Sequence, residues 1–301
     1  MIDFPWALHD NLSMNVDNHD HKIIDVFGDV DSHRVTAEII RTHSTNRRDI
    51  RDVALEGLDL SSARKILELG CGFGFFTESL KGRVSPDARI TGIDVVEGYS
   101  SAFMEACARA EIGGTFIHGD VSVIRDFEES SFDAVICSYS LYFFPHIIGE
   151  IARILNDRAV LVATVHNGNS MKEFVDFARD VLIENGIIDR GTTLHIESLI
   201  TSFSSENGCE LLRPWFGDIR RKTYENTLVF EPVDMYLLME YFRFKRPFFL
   251  SALSARDVAR VFDLFEIHLQ RYFNRSRNGF SITKDDTIFI CSRPMYQREK
   301  R

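Results

Sequence analysis

The chain has 301 residues, 45% of them hydrophobic, with 45 acidic against 35 basic side chains and a formal charge of −10. That length suits one large domain with insertions, and the acidic balance argues against an extended nucleic-acid surface, where phosphate neutralisation needs clustered Lys and Arg. Cys71, Cys107, Cys137, Cys209 and Cys291 form no C-x-x-C pair, and no apolar run reaches the length of a membrane span, so a cytoplasmic protein with buried thiols and no membrane partner is expected.

Residues 1–44 are polar and read as an N-terminal segment. His19 and His21 stand beside Asp17 and Asp20, but a metal site needs several ligands at defined geometry, and the stretch is read as a surface loop with no metal. A short helix over 33–43 is placed to fold over a cofactor site, and Ile50, Val53, Ala54 and Leu58 share one face of a helix leading to the first strand. Residues 65–80, KILELGCGFGFFTESL, then read as a buried strand, a glycine turn and a helix. Ile66, Leu67 and Leu69 suit a central parallel strand covered on both faces. Gly70, Gly72 and Gly74 permit positive φ and let a ligand approach the backbone, while a following helix offers unpaired N–H groups.

Two details separate possible cofactors. The spacing is G-x-G-x-G, not the dinucleotide G-x-G-x-x-G, and Glu68 precedes the first glycine by two residues, where a pyrophosphate gains nothing but a cationic ligand does. Twenty residues past Gly74, Asp94 closes the apolar stretch RITGID, where an acid can accept hydrogen bonds from both ribose hydroxyls. A nicotinamide dehydrogenase is disfavoured on the same grounds.

In these residues the sequence resembles the class I S-adenosylmethionine-dependent methyltransferases, with ELGCGFG similar to their first motif and GID to the acidic end of their second strand. The resemblance implies an α/β, Rossmann-like fold with a seven-stranded, mostly parallel sheet and helices on both faces. It implies that Glu68 and the backbone of Gly70, Cys71, Gly72 and Gly74 hold the methionine portion of S-adenosylmethionine. Asp94, with Val95 beside it, would hold the ribose.

Farther along, Phe103, Cys107 and Ala110 have helical spacing, and GGTFIHGD supplies a turn, a third strand and Asp120. By resemblance Asp120, with Val121, meets the adenine; a helix-cap aspartate is the plainer reading. The fourth strand, Ala134–Cys137, ends in a polar and aromatic edge similar to the family's fourth motif, so Ser138, Tyr139 and Tyr142 are expected near the methionine end. His146 follows Pro145 at the next helix, 148–155, and the buried fifth strand, 159–165, ends at His166. Alternating strands and helices imply parallel βαβ units.

Beyond His166, Ser170 and Glu173 have capping-box spacing ahead of a stripe of Phe174, Phe177, Val181 and Leu182, with Gly186 as its stop. FSSENGCELLRPWF begins another helix, and DIRRKTYENTLVF reads as a sixth strand bent at TYENT, with Arg220, Arg221 and Lys222 as a solvated strand end. Together these resemble a pattern of small bacterial methyltransferases. Pro232 opens a helix, Ser254 and Asp257 cap another, and ITKDDTIFICS reads as a seventh strand, which in the family inserts antiparallel between the fifth and sixth. The methyltransferase domain is therefore assigned to 45–292, with a helical cap from insertions at about 170–200 and 232–275 and a tail at 293–301. The cap's aromatic residues are expected to line a pocket for a small-molecule acceptor. His166, Tyr142 and His146 at the sheet edge, with His195 in the cap, are its candidate polar contacts; the first three are the candidate catalytic residues. The function expected is methyl transfer by direct in-line displacement, yielding S-adenosylhomocysteine. The alternative is a cofactor-binding regulatory or scaffolding protein.

Overall fold

The structure, a computed structural model, describes residues 26–250, 253, 255–275 and 279–296. Strands β1 (Lys65–Leu69), β2 (Arg89–Asp94), β3 (Gly113–His118), β4 (Phe132–Ser138) and β5 (Leu155–His166) come first and pair in parallel. They are followed by β6 (Phe216–Tyr224), β7 (Thr227–Phe230), β8 (Phe280–Thr283) and β9 (Asp286–Pro294). The main sheet has the order β3-β2-β1-β4-β5-β9-β6, with β9 antiparallel to both neighbours, and β7 pairs with β8 in a separate ribbon. The order reverses at β1, which lies between β2 and β4, and in open α/β sheets such a switch point is where ligands bind.

Successive strand residues point to opposite faces, and both faces are covered. Leu67, Leu69, Val135, Leu161 and Phe289 pack with Ile148 and Ile151 of a helix over Ile148–Ile154. Ile66, Ile136, Val162 and Ile290 face the other way, against Val53 of a helix over Ile50–Leu55 and Phe103 of one over Tyr99–Ala110. In chain order the helices are α1 (Val30–His43), α2 (Ile50–Leu55), α3 (Tyr99–Ala110), α4 (Ile148–Ile154), α5 (Lys172–Glu184), α6 (His195–Ser202), α7 (Gly208–Leu212), α8 (Met235–Leu250) and α9 (Ala255–Arg275).

A third core is shared by the cap helices, the β7–β8 ribbon and Ile39 of α1. Phe174, Tyr241, Phe242, Phe249, Phe265, Leu269, Phe230 and Ile282 are buried together, and the Phe242 and Phe265 rings stack at 3.7 Å. Most cap aromatics are consumed in this way, and only a few on α8 turn toward the sheet edge. The expectation that the aromatic residues line a pocket is corrected accordingly: a helical layer set apart from the sheet must bury its own apolar stripes, and aromatic rings fill that core.

Four local expectations also change. After the glycine turn the chain makes a run of turns and a four-residue 3-10 helix, Thr77–Leu80, so no α-helix dipole points at the loop. Glu173 makes no capping box; it accepts from the Thr283 N–H and hydroxyl, while Met171 in left-handed conformation starts α5 and the buried Ser170 hydroxyl meets no partner among the described residues. The expected sixth and seventh strands each divide, into β6 and β7 and into β8 and β9, because the chain crosses from sheet to cap at Glu225–Asn226 and back at Lys284–Asp285. Arg220, Arg221 and Lys222 lie within β6, where the Lys222 ammonium donates to the Val53 and Glu56 carbonyls of α2 and its end. The capping Ser254, the Asp257 side chain, the tail from 297 and the His19 and His21 segment lie outside the described residues.

Candidate active site

The carboxyl edge of β1 turns through Gly70, Gly72 and Gly74, all at positive φ (66°, 50° and 78°). Their reasons differ. A Cβ on Gly70 would lie 2.6 Å from the Ser140 Cβ and one on Gly74 2.4 Å from the Ala106 Cβ, so both are glycine because the fold packs on them. A Cβ on Gly72 would meet the His33 ring at 3.9 Å, an ordinary contact, so packing within the fold does not require glycine here. The Cys71 thiol is buried beneath the loop, pushed well up by burial, and only the Cys71 backbone belongs to the turn.

Asp94 ends β2 beside this loop. One carboxylate oxygen accepts from the Gly72 N–H at 2.8 Å and the other from the Val96 N–H at 3.0 Å. Burial raises its pKa against these bonds, and each oxygen retains a second acceptor site. Next to it the Val95 side chain is 41% exposed, an apolar surface on which an aromatic base can lie. Glu68 is buried under the loop and accepts from the Thr77 hydroxyl, tying the end of the turn to β1; burial pushes its carboxyl up to about 8. Asp120 follows β3 and caps the turn after it, accepting from the Ser122 N–H at 2.8 Å, with Val121 buried beside it. Ser138 ends β4, and the Ser140 hydroxyl donates to the Leu69 carbonyl, fastening the β4 edge to the glycine loop. These features fit a ligand that takes hydrogen bonds at Asp94, presses on Val95 and approaches the Gly72 backbone.

A second group stands at the ends of β5 and β9. His166 Nδ1 lies 2.8 Å from Asp286 Oδ1, Tyr139 donates to Oδ2 at 2.6 Å, and the Lys284 ammonium reaches Oδ1 and Oδ2 at 3.0 and 2.7 Å. Tyr142 is stacked at 5.8 Å from the His166 ring, whereas His146 is exposed on the turn Pro145–Ile147, outside this cluster. Burial and the Lys284 charge lower the His166 pKa to about 4, so its ring is neutral at physiological pH. Burial pushes the Asp286 carboxyl up, but Lys284 and His166 outweigh it and hold it below the usual range.

A roof lies over the glycine loop. His33 of α1 donates to or accepts from the Tyr99 hydroxyl at 2.7 Å, packs edge-on to Phe73 of the glycine loop and stacks on Phe244 of α8. Sequence reasoning did not single out His33 as a contact, nor Lys245, Lys284 or Asp286. The charged triplet KDD interrupting the apolar run ITKDDTIFICS was the available signal for the last two, and the lone Lys245 within an aromatic stretch for the other.

Residues 66–158 match the family described as a methyltransferase domain. A demethylmenaquinone methyltransferase from Staphylococcus aureus is 29% identical over 115 residues, 37% of this chain, and the chain spans about half the length of such curated relatives (47%). Among solved structures, the YcgJ protein of Bacillus subtilis is 13% identical with a TM-score of 0.45, covering 87% of this chain and 99% of that one. Phosphoethanolamine N-methyltransferase 2 of Haemonchus contortus, solved with S-adenosyl-L-methionine, is 13% identical with a TM-score of 0.42, covering 81% of this chain and 51% of that one. The family match lies on the strands that carry the glycine loop and Asp94, so it is this part of the chain, residues 66–158, that is similar to a methyltransferase domain.

Proposed function

We propose that this protein is a cytoplasmic methyltransferase that moves the methyl group of S-adenosylmethionine onto a small-molecule acceptor by direct in-line displacement. The observation that carries the reading is the juxtaposition of Gly72, where packing within the fold does not require glycine, with an Asp94 carboxylate that already orders the Gly72 N–H and keeps acceptor sites free. When bound, the cofactor supplies an electrophilic methyl carbon on a sulfonium, so the protein's task is positioning and exclusion of water. Asp94 holds the ribose, the Gly70–Gly74 backbone the methionine portion, and Val95 and Asp120 the base. Glu68 braces the loop from below through Thr77. His33 and Phe244 roof the loop and keep solvent from it, an enclosure that suits a small acceptor.

For an acceptor that arrives protonated, His166 is the base. Its Nδ1–H donates to Asp286, which leaves the Nε2 lone pair to take the proton; the carboxylate offsets part of the cost that burial and the Lys284 charge place on the imidazolium, so His166 acts as a weak base. Tyr139 and Lys284 fix Asp286 in turn, and Tyr142 packs on the ring. Calorimetric titration with S-adenosylhomocysteine, followed by turnover of methyl-labelled cofactor against a small-molecule acceptor collection, tests the reading. Micromolar binding and labelled product are expected; no binding to the chain would overturn it.

A further inference from the structure

Lys245 is a cation left over. It projects from α8 among aromatic rings, with Nζ 5.3 Å from the Phe248 centroid, 5.7 Å from Phe244 and 5.9 Å from Tyr241. Ring faces attract an ammonium but accept none of its three N–H bonds in the way an oxygen does. The nearby carboxylate, Asp286, is saturated: it accepts from His166, from Tyr139 and twice from Lys284, the full capacity of a carboxylate. Among the described residues no carboxylate pairs with Lys245. The position is central to the site, for Phe244 beside it stacks on His33 above the glycine loop, and the Lys245 charge acts on both His33 and His166. A half-buried, unpaired ammonium is a costly feature for packing alone, since a methionine would fill the same volume without the desolvation penalty.

We infer that Lys245 is the anion-binding residue of this site and pairs with a carboxylate, or an oxyanion of like charge, on a bound reactant. The inference rests on the methyl-transfer reading for its choice of ligand. Two sources offer that chemistry: the α-carboxylate of the cofactor, or an acidic group on the acceptor.

Two pairs of probes distinguish them. Binding of S-adenosylhomocysteine is compared with its analogue lacking the carboxylate, and binding of benzoate with benzamide in the absence of cofactor, each by calorimetry on the wild type, Lys245→Met and Lys245→Arg. In one pair or the other the wild type should prefer the carboxylate by roughly tenfold to a hundredfold, as expected for a charge-assisted hydrogen bond. Lys245→Met should erase that preference and Lys245→Arg keep most of it, which also shows that the variants fold. A preference in the first pair assigns the cofactor carboxylate; in the second, an acidic acceptor. If neither pair is discriminated, or if discrimination survives Lys245→Met, the inference is overturned. Failure of the wild type to bind S-adenosylhomocysteine would instead overturn the functional reading, with the benzoate pair still deciding the role of Lys245.

Discussion

Asp94 accepts one backbone N–H on each oxygen and has a lone pair left on each, so a ribose can be added without breaking the turn. Asp94→Ala should therefore weaken binding of S-adenosylhomocysteine by about 2–4 kcal/mol, the worth of two charge-assisted bonds. Unchanged affinity in calorimetry would remove Asp94 from the site. Glu68 makes a different prediction. Its folded pKa is about 8 against an ordinary 4.5, so the folded chain keeps a proton that the unfolded chain has already released. A raised pKa contributes stability below the unfolded value that is lost as pH rises through the folded one. Between about pH 4.5 and 8 the Glu68 contribution should fall by up to about 1.4 kcal/mol per pH unit, and Glu68→Gln, which still accepts from Thr77, should lack that fall. Denaturant midpoints of the two proteins across this range decide it; parallel curves would show Glu68 to be ionised. Glu68, Asp94 and the glycines stood out in the sequence because motif spacing is local. Asp286 and Lys284 did not, since they lie 120 and 118 positions from His166 and meet it only because β9 inserts beside β5.

The glycine loop and the crossing from sheet to cap show two ways in which elements are joined. Gly74→Ala should destabilise the protein by about 1–3 kcal/mol, because the new Cβ collides with Ala106 on α3 and must hold positive φ. Gly72→Val has no such collision, so it should lose cofactor binding with a smaller loss of stability, limited to backbone strain of about 1–3 kcal/mol. Thermal melts with and without S-adenosylhomocysteine separate the two; a Gly72→Val protein that is still stabilised by ligand would reduce the glycines to a turn. At the crossing, Asn226 is buried and accepts from the Asn46 N–H, donates to the Ser44 hydroxyl, and receives the Lys284 N–H on its carbonyl, while its own N–H goes to Asp285. Three chain segments passing between sheet and cap are thereby fastened at one residue, whose side chain holds 44–46 and whose backbone holds 284–285. Asn226→Ala should cost about 2–4 kcal/mol, from two lost bonds and a buried donor left without its partner. Hydrogen exchange should show the loss first in residues 44–46, whose bonds are to the side chain; uniform loosening across the sheet would contradict a local fastening.

At the scale of the whole molecule the protein has two bodies of packing, a sheet covered on both faces and a cap with a core of its own, meeting over the carboxyl edge of β1, β4 and β5. Phe265→Ala removes a ring that stacks on Phe242 and touches Phe174 and Phe177, and should cost about 3–5 kcal/mol. Hydrogen exchange should then show α5, α8 and α9 opening while β1, β4 and β5 stay protected; loss of protection in the central strands at the same rate would mean one cooperative unit. The sequence by itself determined the parallel sheet and the glycine turn with Asp94 at its edge, because apolar runs, glycine spacing and an acid at a strand end are properties of short stretches that fold where they stand. It also determined that something helical and aromatic follows His166. Only the tertiary structure decided where those aromatics went, since a Phe stripe at helical spacing reads the same whether it faces a pocket or another helix. The same is true of the breaks at Asn226 and Lys284, which no local propensity dictates, and of the His166–Asp286–Lys284 group with Lys245 above it. Charges this far apart in the chain become neighbours through strand order, and their balance, with one carboxylate saturated and one ammonium that pairs with no carboxylate among the described residues, exists only once they are neighbours.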